Sequence, residues 1–237
     1  MKNMYCILTI TRYPKWLGFA GFFSMALFRF FLWFNKKTSF WKLLGCGKNG
    51  SFDIKPDLRQ WGILLVVESH KIDEMTLKNI APFIYRYITF FKCEIFSITM
   101  QPIEGYGKWN GRNCFGDLKG FNDYEGIICV LTRATIRLNR VKNFLKHTQA
   151  VSAQMLAAPG FLASVGIGEV PFIKQATFSI WKSKTQMKDF AYGMKKHIEV
   201  IKKTRDEKWY SEEMFVRFKP ILCSGTLNGV NPLERIL

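Results

Sequence analysis

Cys6-Ile7-Leu8-Thr9, an apolar run near the N-terminus, is matched past the middle of the chain by Cys129-Val130-Leu131-Thr132. Two further pairs keep the same order. Leu43–Gly47 (LLGCG) corresponds to Ser164–Gly168 (SVGIG), and Leu65–Met75 (LVVESHKIDEM) to Phe178–Met187 (FSIWKSKTQM). A period of roughly 115 residues is too long for a solenoid and indicates a duplicated unit. Working outward, β-branched and aromatic enrichment marks strands and 3.6-residue spacing marks helices. The first half predicts strand 4–13, helix 15–34, strands 40–46 and 60–69, helix 73–87 and strand 90–101. The second predicts strand 126–136, helix 140–157, strands 161–167 and 174–181, helix 185–203 and a last strand near 214–223. Both read β-α-β-β-α-β. The expected fold class is therefore α+β: two ferredoxin-like halves, 1–101 and 125–237, forming a dimeric α/β-barrel-like core. Residues 102–124, rich in Gly, Asn and Asp, read as a linker, with Trp109 and Phe115 packing it down.

The 237 residues are 48% hydrophobic and 16% aromatic, with 22 phenylalanines. Global disorder is excluded, and the ring surface suits a pocket for a flat or long apolar ligand. Lys+Arg is 35 against Asp+Glu 18, a formal charge of +17 that draws nucleic acid, anionic lipid or an anionic small molecule without choosing among them. The six cysteines form no CxxC pair, so zinc-ribbon spacing is absent and a reducing, cytoplasmic setting is expected. Trp16 to Phe34 is apolar except for Arg29, close to the length that spans a bilayer. A strand precedes it and no small-residue cleavage site follows. The reading is an apolar helix that packs on a sheet or touches a membrane surface.

Few residues offer chemistry. His70 falls in a turn. His147 lies about 200° round its helix from Leu145 and is expected to be exposed. His197 differs: Met187, Phe190, Ala191, Met194, His197, Ile198 and Ile201 share one face of the last long helix, opposite a row of lysines. It is either a core imidazole satisfied by a carbonyl or an axial ligand to a metal. Arg133 shares a strand face with Ile127, Cys129 and Leu131, so it needs a carboxylate of the protein or of a ligand. On strand 174–181, Ala176, Phe178 and Ile180 take one face, and Gln175, Thr177, Ser179 and Trp181 the other. Gly166-Ile167-Gly168-Glu169 resembles part of a phosphate loop but precedes a strand, which argues against a dinucleotide site. The basic helix 182–208 carries no zinc pattern or aromatic RNA-binding signature, which argues against nucleic acid.

Several segments together resemble the spheroidene monooxygenase family: FWKLLGCGKNGSF (Phe40–Phe52), WGILLVVES (Trp61–Ser69), VLTRATIR (Val130–Arg137), APGFLASVGIGEVPFIKQATFSIWKS (Ala158–Ser183) and WYSEEMFVRF (Trp209–Phe218). The resemblance implies a haem-dependent monooxygenase that uses O2 and an electron donor. Its substrate would be an acyclic carotenoid or similar apolar molecule, hydroxylated and then oxidised to a ketone. The family is similar to a superfamily whose haem members, among them aldoxime dehydratases, hold haem b in the C-terminal half. On that likeness His197 is the proximal iron ligand. Arg133 and Gln175 donate hydrogen bonds to oxygen or a propionate, and Phe178, Trp181 and Tyr192 wall the pocket. Peripheral membrane contact and a homo-oligomer fit the same picture. The alternatives are a haem protein of other, dehydratase-like chemistry, or a non-enzymatic basic module that binds membrane or nucleic acid.

Overall fold

A computed structural model describes residues 3–48, 56–72, 74–118, 122–193 and 202–234, the side chains of 148–150 excepted. The strands are β1 (Asn3–Arg12), β2 (Phe40–Gly47), β3 (Pro56–Ser69), β4 (Glu94–Gly107), β5 (Ile128–Ile136), β6 (Phe161–Val170), β7 (Lys174–Trp181) and β8 (Tyr210–Gly225). The helices are α1 (Gly18–Trp33), α2 (Leu77–Ile80), α3 (Pro82–Phe90), α4 (Val141–Leu156) and α5 (Lys184–Gly193), and residues 202–206 are also helical.

The strands close an antiparallel barrel in the order β1-β3-β2-β6-β7-β5-β8-β4. Alternate side chains point inward, and Cys6, Leu8, Leu64, Val66, Ile98, Cys129, Leu131, Phe178, Ile180 and Phe218 fill the interior. Both barrel ends are stoppered. Trp109, Cys114 and Phe115 close one end and Leu227 and Leu233 join the same core from the tail. The closure is uneven. β4 and β8 pair along eleven positions, whereas β2 and β6 meet only at Gly45↔Gly168 and Cys46↔Ile167. A crevice of about 960 Å3 opens along β2, bordered by α1 and reaching Asn110, Arg112 and Glu169.

Helix α1 is apolar on nearly every side, and Lys15–Trp33 is long and apolar enough to cross a membrane, with mean hydropathy 1.4. One face nevertheless packs on the sheet. Gly21 lies so close to Trp61 that an added Cβ would come within 2.4 Å of the indole nitrogen. Ser24 satisfies its hydroxyl on the Gly21 carbonyl, and Phe28 and Leu32 complete the buried stripe.

Several expectations need correction. The single helix 73–87 is two, because Pro82 cannot continue the donor ladder of α2 and instead opens α3 at its first turn. Phe90 ends α3 rather than starting a strand, and β4 runs on to Gly107, six residues into the expected linker. The strand expected over 161–167 runs on to Val170, so Gly168 and Glu169 also belong to β6. α5 is described over Lys184–Gly193, and the rest of its expected span through residue 201 lies outside the described residues.

Candidate functional site

Arg133 projects from β5 into the barrel and is 1% exposed. Of its two possible partners, carboxylates of the protein are what it meets. It pairs with Glu212, lies 3.5 Å from Glu169, donates to Asn110 Oδ1 at 3.0 Å and sits over the Trp109 ring. Lys42 pairs with Glu169 at 2.5 Å, and Trp109 donates its indole N–H to the same carboxylate at 2.7 Å. The Asn110 and Gly111 amides donate to Glu212 at 2.9 and 2.7 Å. Burial pushes both carboxyls up. Hydrogen bonds and cations outweigh it and hold Glu169 and Glu212 below the usual carboxylate range. Each charge has an opposite neighbour, so this cluster fastens the Trp109 loop across the barrel end.

The outer faces of the two halves differ in the size and polarity of their side chains. In the first half, Trp41 and Leu43 of β2 pair with Leu65 and Ile63 of β3, which pair with Ile7 and Thr9 of β1. The same ladder positions in the second half are Ser164 and Gly166, Ser179 and Thr177, Val130 and Thr132. Four large side chains are thus replaced by two serines, a glycine and a threonine. Thr9 is fully buried and bonded to Ser97 at 2.9 Å, whereas Thr132 is exposed in mid-strand. The Thr177 hydroxyl is buried without a hydrogen-bond partner. Apolar clusters bracket this shallow polar band. Trp181, stacked on Phe190 at 5.1 Å, stands at one end, and Trp209 with Phe144 at the other.

The residues expected at one site divide between the two faces. Arg133 and Phe178 point into the barrel, Phe178 as part of its core. Gln175, half-buried beside Gly168, and Trp181 lie on the outer face. Tyr192 is 61% exposed on α5. His197 lies outside the described residues. His147 is not exposed as expected. It is half-buried, its Nδ1 is 2.8 Å from the Asn143 carbonyl, and its ring lies 5.4 Å from that of Trp209. Periodicity alone missed this contact because Trp209 arrives from a distant segment. Lys184 also went unnoticed. It is fully buried on Glu104 at 3.1 Å, and Glu104 also holds Arg217 at 2.9 Å. Among the described residues no group of three or more His, Cys, Asp or Glu could hold a metal ion.

The fold is that of an α+β protein built on a closed antiparallel barrel with helices outside, and solved structures share it. One crystal structure of aldoxime dehydratase superposes with a TM-score of 0.62 at 6% identity, covering 92% of this chain and 81% of that one. Another, with butyraldoxime bound, gives 0.63 at 7%, covering 98% and 85%. No protein-family model matches the chain. By sequence, it is 34% identical over 203 residues, 85% of its length, to a spheroidene monooxygenase of Cereibacter sphaeroides, and it spans only 61% of that protein. It is 28% identical to the protein of the same name from Rhodobacter capsulatus (83% of this chain, 81% of that one) and 29% to that of Rubrivivax gelatinosus (80% and 72%). Over 80–85% of its length the chain is thus similar to proteins named spheroidene monooxygenase.

Proposed function

We propose that the chain is a haem-dependent monooxygenase that adds oxygen from O2 to an acyclic carotenoid or similar apolar substrate, giving a hydroxyl and then a ketone, with an external electron donor. We further infer that the halves derive from one ferredoxin-like unit. In support, each repeats the element order β-α-β-β-α-β and the sheet order 4-1-3-2. The observation that carries the functional reading is the second half's outer face, where Gly166, Thr177, Ser164 and Ser179, all buried, stand at the ladder positions of larger apolar side chains in the first half, and where the Thr177 hydroxyl has no hydrogen-bond partner.

These residues fit a haem. The glycine lets a flat ring approach the backbone, the orphaned Thr177 hydroxyl offers a donor to a polar edge, and Trp181 with Phe190 walls one side and excludes water. Haem bound there would supply oxygen activation, which no side chain of this chain can perform alone. His197, on the expected continuation of α5, is the proposed iron ligand. Arg133 is assigned to holding the barrel plug, because Glu169, Glu212 and Asn110 engage both of its terminal nitrogens and only Nε lacks a partner. Dehydratase-like haem chemistry is the second reading, favoured by the likeness of fold to the aldoxime dehydratases.

Protein produced with haem supplied is expected to show a Soret band at one haem per chain. His197→Ala should abolish it and His147→Ala should keep it. Loss in His147→Ala with retention in His197→Ala would move the ligand to α4, and no band in the wild type would end the haem reading. With an acyclic carotenoid, reductant and O2, mass analysis should show a product that has gained oxygen. Turnover of an aldoxime without oxygen gain would favour the second reading.

A further inference from the structure

The outward side of α1 has no use in the fold. Trp16, Phe19, Phe23, Phe30, Trp33 and Phe34 are 62–76% exposed and recur at helical spacing in one stripe. At 1.5 Å per residue the stripe runs for about 27 Å. The opposite side is fixed to the sheet through Ala20, Gly21, Ser24, Phe28 and Leu32. A bilayer-spanning orientation would require that whole side to be torn from β3, so the packed helix can meet a membrane only lengthwise.

Charge selects the partner. The first 52 residues contain no Asp or Glu, and exposed Lys15, Arg29 and Lys36 flank or interrupt the stripe. A two-fold pairing with a second copy would set these cations against their own images, within a protein already at +17. An anionic surface with an apolar layer beneath it satisfies both the cations and the rings.

We infer that α1 is an in-plane anchor that docks the protein on anionic bilayers, its aromatic stripe entering the acyl boundary and its basic residues meeting lipid headgroups. This holds whatever reaction the protein performs. One consequence rests on the function proposed above: Phe22, Trp33 and Trp41 border the crevice along β2, so docking sets its mouth against the layer in which an apolar substrate dissolves.

The test is co-sedimentation of the full chain with vesicles of phosphatidylglycerol and phosphatidylcholine or of phosphatidylcholine alone. Binding is expected on the anionic vesicles only, weakened by salt. Phe19→Gln/Phe23→Gln/Phe30→Gln should weaken it tenfold or more while circular dichroism is unchanged. Lys15→Gln/Arg29→Gln/Lys36→Gln, which spares every ring, should weaken it on anionic vesicles and provides the reading if the first variant does not fold. Absence of binding, undiminished binding by both variants, or resistance to carbonate extraction, the mark of a spanning helix, would overturn the inference. So would a lipid-free dimer, seen by sedimentation velocity, that the aromatic variant abolishes.

Discussion

Removing the Arg133 side chain would leave Glu169 with Lys42 as its cation and Glu212 with only the Asn110 and Gly111 amides. Breaking a buried pair from one side costs about 3–5 kcal/mol, because the remaining charge loses its partner and stays desolvated. Arg133→Ala is therefore expected to lower unfolding free energy by about 3 kcal/mol in a urea titration. Combining it with Glu212→Gln should recover part of that loss. A variant with wild-type stability would show that the cluster does not fasten the plug. The need for a partner was legible in the sequence, since a charge interrupts an apolar strand face. Its identity was not, because Glu169, Glu212 and Asn110 come from three separate segments.

At the scale of elements, the two outer faces make opposite use of one ladder. Leu43 and Ile63 occupy the first; the smaller Gly166 and Thr177 stand at the same ladder positions in the second. Gly166→Leu with Thr177→Ile installs the first half's residues in the second. Removing the unpaired Thr177 hydroxyl favours this variant and adding volume at two buried positions opposes it, so its melting temperature is expected to stay close to that of the wild type. The variant should reduce haem uptake at least tenfold, as read by Soret absorbance during titration. Undiminished uptake would place the cofactor elsewhere. The letters CILT and CVLT align the first strands of the halves, but the matches LLGCG with SVGIG and LVVES with FSIW set Leu43 against Ser164 and Leu65 against Phe178, whereas the ladders set them against Gly166 and Ser179. Nor was the meaning of these positions legible, because a strand pattern does not say what lies above a small residue. Pro82 shows the converse. Its break in the helical pattern is a purely local effect and could have been read from sequence.

For the whole molecule, acid is the informative stress. The carboxyls of Glu169 and Glu212 titrate lower in the folded chain than in an unfolded one, so folding is favoured while both are ionised. That contribution is complete above the ordinary carboxylate range and is lost as the pH falls toward their depressed folded values. The melting temperature is expected to fall as the pH drops below about 4.5. Glu169→Gln should start lower at neutral pH and fall less steeply. An equal slope in both proteins would remove Glu169 from the acid response. The barrel seam at β2 and β6, held by only two register pairs, lies next to this cluster, so its loosening should accompany the loss.

The sequence by itself determined the alternation of strands and helices, the order of the two halves, the apolar interior and the basic surface. These follow from side-chain periodicity and charge, which act over a few residues and need no partner. Only the tertiary structure decided that Arg133 and Phe178 face the packed barrel while Trp181 faces outward, that His147 meets Trp209, and that the Thr177 hydroxyl is buried without a partner. Each of these depends on which distant strand or loop closes over a given side chain, and burial is a property of that enclosure rather than of the residue.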